Sequence, residues 1–238
     1  MPPAKMSLFS SLHTSLLTWW QDVPLPSADL TGPPIFQSWH EFDAATQKWT
    51  PISATASRPP RADDPAKLPS DPDSTCSDPG LNLVTWNVDA STYLPGARIS
   101  AIVSHILSLT PAADVVFFQE VSRPALAALL ETAQIRQAFF STEADDASSW
   151  ERAAPFANIT LLSKSRFGYP RGGSAAAVDG LRIGPVWRVR FPSRFGRDAL
   201  CCDVLLDSSG RSRLPSTREE TAAPSSRIRL INVHLDLL

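Results

Sequence analysis

The sequence is poor in cysteine, and its three cysteines are badly placed for a framework: Cys201 and Cys202 are adjacent, and Cys76 lies far away among Pro and Asp. That arrangement excludes a disulfide scaffold and fits no zinc-ligand spacing, so thiols buried in a reducing compartment are expected. Long apolar runs are missing too. None approaches the ~20 residues needed to span a bilayer, and no basic segment leads into an apolar stretch at the N-terminus, which argues against secretion. Net charge is small at −2, so no whole-molecule field draws the protein to nucleic acid or membrane. An intracellular protein of the nucleus or cytoplasm, without a membrane span, is expected. No internal repeat is visible.

Proline, by contrast, is abundant at 22, which signals a large irregular portion beside an ordinary 43% hydrophobic content. With 238 residues the chain can hold one large domain or two small ones. Arginine dominates the basic residues, and most of it follows Arg166, while the earlier part is net acidic. Arginine is the better residue for two-point phosphate contacts, although it also serves on ordinary solvated faces.

Met1 to Gly80 reads as an irregular extension. Ser11 to Gln21 has the spacing of a short amphipathic helix, and Pro24, Pro26, Pro33 and Pro34 then break regular structure. Phe36, Trp39, Phe42 and Trp49 form an aromatic patch, for which packing on a neighbouring domain is favoured over a partner-binding motif. From Ser53 to Gly80 the composition is that of a linker.

The folded domain is expected over residues 81–238. Leu81 to Asp89 reads as a buried strand that stops at two polar side chains, Asn87 and Asp89. Gly96 to Leu109 places Ile99, Ile102, Val103, Ile106 and Leu107 at the spacing of a helix burying one face, ended by Pro111. Asp114 to Glu120 is a second apolar strand with a polar end, and Ser122 with Pro124 starts another helix through Ile135. Asn158 to Ser163, Arg182 to Phe191, Ala199 to Leu206 and Arg227 to His234 read as further strands. Gly172-Gly173-Ser174 and Ser208 to Ser226 read as loops. The order is that of an α/β protein with Asn87, Asp89 and Glu120 along one edge of one sheet.

Each polar strand end has an ordinary explanation: an Asn or Asp after a strand commonly makes a turn, and a histidine between apolar neighbours commonly sits hydrogen-bonded in a core. Glu120 after four apolar residues is harder to place that way. A carboxylate at the inner end of a buried strand needs a partner, and a hard divalent cation is a natural one. Recurrence across separate strands carries more weight than any one residue.

Thr85-Trp86-Asn87-Val88-Asp89, Phe118-Gln119-Glu120-Val121 and Asn232-Val233-His234-Leu235 resemble, in this order, the motifs of the endonuclease/exonuclease/phosphatase superfamily. Within it, Phe191-Pro192-Ser193 followed by Arg197 is similar to the tyrosyl-DNA phosphodiesterase 2 branch. The resemblance covers Leu81 to Leu238 and implies part of a four-layer α/β-sandwich, two packed mixed sheets flanked by helices. It implies Mg²⁺ as cofactor, with Mn²⁺ as the substitute, held by Glu120 with support from Asp89. Asn87 and His234 are then the catalytic residues, one holding the phosphate or the attacking water, the other donating to a phosphate oxygen. Arg197 becomes a phosphate contact. The implied reaction is in-line attack of water on a phosphodiester, with DNA or a DNA–peptide adduct as partner and DNA repair as the setting.

The departures are equally specific. The family's Gly-Asp-x-Asn strand end, whose Asp activates water, and its later Ser-Asp-His do not occur after His234. A C-terminally incomplete domain, inactive by itself, is therefore the expectation. The rival readings are an inert phosphate- or nucleic-acid-binding fragment, and a superfamily enzyme acting on a phosphoinositide, sphingomyelin or RNA, because loops rather than fold select the substrate.

Overall fold

The computed structural model describes residues 33–52, 80–144, 154–169, 181–191, 197–206 and 226–235. The helix expected over residues 11–21, nearly all of the linker, and the two expected loops, except for Ser226, lie outside these residues. Fourteen elements follow in chain order: β1 (Ile35–Gln37), β2 (Trp39–Asp43), β3 (Lys48–Ile52), β4 (Leu83–Asn87), α1 (Pro95–Leu107), β5 (Val115–Ser122), α2 (Arg123–Glu131), α3 (Ala133–Ala138), β6 (Phe139–Ser141), β7 (Phe156–Ser163), β8 (Phe167–Gly168), β9 (Leu181–Arg190), β10 (Asp198–Leu206) and β11 (Ser226–Val233).

The strands build two stacked sheets. A mixed six-stranded sheet has the order β3-β2-β6-β7-β5-β4. Its parallel pair, β4 and β5, is joined through α1, while β5 and β7 run antiparallel. The other sheet has the order β1-β9-β10-β11, with β8 also paired to β9. On one face of the mixed sheet, Ile99, Ile102, Val103 and Ile106 of α1 and Leu126 and Leu129 of α2 pack against Val116, Phe118, Val121, Ile159 and Leu161. Burying such a side chain contributes roughly 1.5–3 kcal/mol each. On the opposite face Val115, Phe117 and Leu162 meet Ile183, Val186, Leu200, Cys202 and Val204 of the second sheet. The chain is thus an α/β sandwich of two packed sheets with helices on the described face. No helix among the described residues is long and apolar enough to cross a membrane.

Residues 35–52 differ from the irregular extension that composition predicts. They form three strands and enter both sheets: β1 pairs β9, and the β2–β3 hairpin extends the mixed sheet through β6. Trp39 is 1% exposed and donates its indole N–H to Gly184 O at 3.1 Å, while Trp49 donates to Leu130 O at 3.2 Å. Trp39 and Trp49 therefore serve packing, with polar tips satisfied as buried indoles require, while Phe36 stays half exposed beside Trp187.

Two local expectations also change. β4 is an edge strand among the described residues rather than a buried one: Leu83 is 48% exposed and burial alternates along the strand. The helix expected through Ile135 breaks at Thr132, whose extended backbone (ψ 119°) separates α2 from α3.

Candidate active site

The mixed sheet delivers two of the residues in question at adjacent strand ends. Asn87 is paired with Gln119 across β4 and β5, and Val88 N–H donates to Gln119 O at 2.9 Å. Along β5, Phe118 and Val121 both face the helices, although strict alternation would put residues three apart on opposite faces. The irregularity between Phe118 and Val121 in the β5–β7 register resolves this. Glu120 is the extra residue of a bulge, with φ 54°. A non-glycine residue pays for that left-handed backbone with about 1–2 kcal/mol of strain, and bulges commonly re-aim a side chain beside a functional site.

The second sheet delivers two more. Ala199 of β10 stands opposite Val233 of β11. Arg197 precedes β10 and His234 follows β11, so this register brings them side by side. The Arg197 carbonyl also accepts from Phe191 N–H at 3.2 Å, which closes the β9–β10 ladder at that end.

Glu120, Arg197 and His234 converge across the two sheets. Arg197 Nη2 donates to Glu120 Oε1 at 3.3 Å, and Nη1 lies 2.5 Å from His234 Nδ1. His234 Nδ1 also lies 3.2 Å from the same Glu120 oxygen. Arginine has only donors and an ionised Glu120 only acceptors, so the two contacts make opposite demands on His234 Nδ1. The three side chains are partly exposed, at 11% for Arg197, 19% for Glu120 and 28% for His234. Arg197 further lies over the Phe156 ring, 5.3 Å from its centroid, which fixes the guanidinium from below.

The two remaining residues shape the loop after β4. The Asn87 side-chain oxygen accepts from Asp89 N–H at 2.8 Å, so the amide turns its N–H donors away from the turn. Asp89 has φ 64°, and its Oδ1 accepts from the Ser91 hydroxyl at 2.5 Å and the Ser91 N–H at 3.2 Å. Those hydrogen bonds, the hydroxyl first, hold the Asp89 carboxyl below its ordinary range. Arg98 of α1 donates to Val88 O at 2.5 Å and ties the loop to the helix. Asp89 is thus engaged with Ser91, whereas Glu120 is the carboxylate beside Arg197 and His234.

Gln119 and Asn232, which flank the candidate residues, carry no role in the motif pattern. Both are buried, at 8% and 1% exposure, directly behind the site. Gln119 Nε2 donates to Asn232 Oδ1 at 2.8 Å and to Thr85 Oγ1 at 3.0 Å. Asn232 Nδ2 donates to Phe118 O at 3.1 Å and Ile159 O at 2.9 Å. The signal was present as two carboxamides inside apolar strands, which need partners when buried. A second polar element lies between the sheets. Arg188, 1% exposed, donates to Glu143 Oε1 at 2.7 Å, to both Asp198 oxygens at 3.0 and 2.9 Å, and to Asn158 O at 2.9 Å. Burial opposes its charge, but Glu143 and Asp198 outweigh burial and hold its pKa above the ordinary arginine value.

The donor chemistry can be tested against the cation that the motifs imply. No group of three His, Cys, Asp or Glu side chains able to cage a metal occurs among the described residues. Magnesium, however, is commonly anchored by one or two carboxylates and completed by water and substrate phosphate oxygens. A partly exposed Glu120, with the Asn87 amide at the neighbouring strand end, fits that type of site. A closed zinc site would require more nitrogen or sulfur ligands.

No family model and no curated protein matches this chain. Among solved structures it is similar to humanized D. rerio TDP2 carrying 14 mutations, at 24% identity and a TM-score of 0.37, over 53% of this chain and 44% of that one. It is equally similar to D. rerio TDP2 complexed with single strand DNA product, at 24% identity and a TM-score of 0.37, over 53% of this chain and 41% of that one. The chain therefore spans less than half the length of either.

Proposed function

We propose that these residues form the phosphate-binding wall of a Mg²⁺-dependent phosphodiester hydrolase site of tyrosyl-DNA phosphodiesterase type, acting in DNA repair on DNA or a DNA–peptide adduct. The observation that carries this reading is the convergence of Glu120, Arg197 and His234 from separate strand ends of two sheets. Glu120 would hold the divalent ion, which supplies neutralisation of charge on the phosphate and leaving oxygen. Arg197 presents a planar two-donor fork to a phosphate. His234 donates a ring N–H to a phosphate oxygen as negative charge accumulates. The Asn87 amide, held by its own carbonyl contact to Asp89 N–H, directs N–H donors at the phosphate or the attacking water. Asp89 supports Asn87 through that turn. The 238 residues contain no Gly-Asp-x-Asn to activate water. On these residues alone, binding without turnover is the expected behaviour.

The experiment is a binding and hydrolysis assay with a 5′-phosphotyrosyl oligonucleotide, with and without Mg²⁺. Wild type should bind it more tightly with Mg²⁺, Glu120→Ala should lose the Mg²⁺ enhancement, and neither should hydrolyse it. Equal affinity for a generic phosphodiester of the same length would count against the substrate class. Enhancement that survives in Glu120→Ala would remove the metal role, and metal-dependent hydrolysis by the 238-residue chain would overturn the binding-only reading.

A further inference from the structure

We infer that Arg197 is a tethered cation that occupies Glu120 in the metal-free protein and must be displaced when a divalent ion binds. This inference rests on the function proposed above and gives Arg197 a role before any phosphate arrives. Its guanidinium lies 3.3 Å from Glu120 Oε1, the carboxylate assigned to the metal. A carboxylate that is only 19% exposed and lacks a counter-charge is unfavourable. Arg197 relieves that cost and also keeps the site assembled, because the same guanidinium grips His234 Nδ1.

The arrangement sets up competition. One positive charge already lies against the metal-binding oxygen, so a divalent ion must break the Arg197–Glu120 contact and overcome repulsion from the guanidinium. Displaced from Glu120, the guanidinium stays over the Phe156 ring, beside the site. Metal binding and release of a phosphate-seeking arginine then become one event. By linkage, an anion that draws Arg197 from Glu120 strengthens metal binding by the factor by which the metal strengthens binding of that anion.

The test measures the affinity of Mn²⁺ alone, by electron paramagnetic resonance, for the full chain and three variants. Arg197→Met keeps an unbranched apolar stem but removes the charge, and should bind Mn²⁺ about three- to tenfold more tightly than wild type. Arg197→Lys keeps the charge and should stay near wild type. Glu120→Gln should lose the site. Arg197→Met binding no tighter than wild type, with Glu120→Gln still losing the site, overturns the role of Arg197 and leaves the metal site standing. Retention of Mn²⁺ by Glu120→Gln overturns the metal reading itself. If Arg197→Met fails to fold, wild type answers directly. In ¹⁵N-arginine-labelled protein the Arg197 side-chain resonance, identified by its loss in Arg197→Lys, should move when Mg²⁺ saturates the site. A resonance that stays in place overturns the inference.

Discussion

Gln119 of the mixed sheet donates its side-chain amide to the Asn232 side-chain oxygen of the other sheet at 2.8 Å. Gln119 immediately precedes Glu120, and Asn232 lies two residues before His234. This hydrogen bond therefore fastens the two strands that end in the candidate site. Asn232 is satisfied on both sides, since its amide donates to Phe118 O and Ile159 O. Buried networks of this kind are rigid when complete and unfavourable when one member is missing.

Asn232→Leu should destabilise the chain by about 2–4 kcal/mol, because Gln119 and two carbonyls each lose a hydrogen bond at once. Denaturant unfolding measures the loss. Thr85→Val removes only the partly exposed Thr85 end of the network and should fall well below Asn232→Leu.

Arg188→Met should be more damaging, at about 3–5 kcal/mol, since it leaves Glu143 buried at 1% exposure without its cation. Adding Glu143→Gln removes the more deeply buried of the two carboxylates that Arg188 pairs. The double variant should therefore recover part of the loss in the same unfolding assay, and strict additivity would show that the pair is not coupled.

Gly184→Ala addresses backbone closeness. A Cβ there would stand 2.7 Å from the Asp203 carbonyl oxygen and 3.1 Å from its Cβ. The strands β9 and β10 must separate at the point where their register shifts between Cys202 and Val204. A loss of about 1–3 kcal/mol is expected by thermal or denaturant unfolding.

Asp89 yields a pH dependence. Its folded-state pKa lies below the unfolded value because Ser91 hydrogen-bonds its charged form. The resulting stabilisation is fully present above the unfolded pKa and is lost as pH falls through the folded one. Carboxyl ¹³C chemical shifts should report an Asp89 midpoint below that of an ordinary aspartate, and Ser91→Ala should raise it. An unchanged midpoint in Ser91→Ala would show that Ser91 is not the cause.

Much of the fold is legible from local pattern. α1, β5, β7, β9, β10 and β11 lie within a few residues of where apolar spacing places them, since each buries a face that its own sequence must supply. β1, β2 and β3 are less visible: they are three to five residues long, and Gln37, His40 and Glu41 interrupt the apolar positions. Their pairing with β9 and β6 makes them strands, a tertiary effect that overrides weak local preference. β6 and β8 escape for the same reason of length. Arg188 left a faint signal, as a charge on the same strand face as buried Val186, but its two carboxylates lie 45 and 10 residues away.

For the site, the sequence by itself determined which residues are polar at the ends of apolar strands: Asn87, Asp89, Glu120 and His234, with Arg197 before another apolar run. That information is local, because alternation and burial are written into neighbouring residues. Only the tertiary structure decided which of them meet. Arg197 and Glu120 are separated by 77 residues and come together through strand register and sheet packing. Glu120 also leaves strand alternation because Val121 is claimed by the helix-facing core, which forces the bulge and its positive φ. Asp89 is drawn instead to Ser91, two residues on. Side-chain chemistry set the candidates, and non-local packing selected among them.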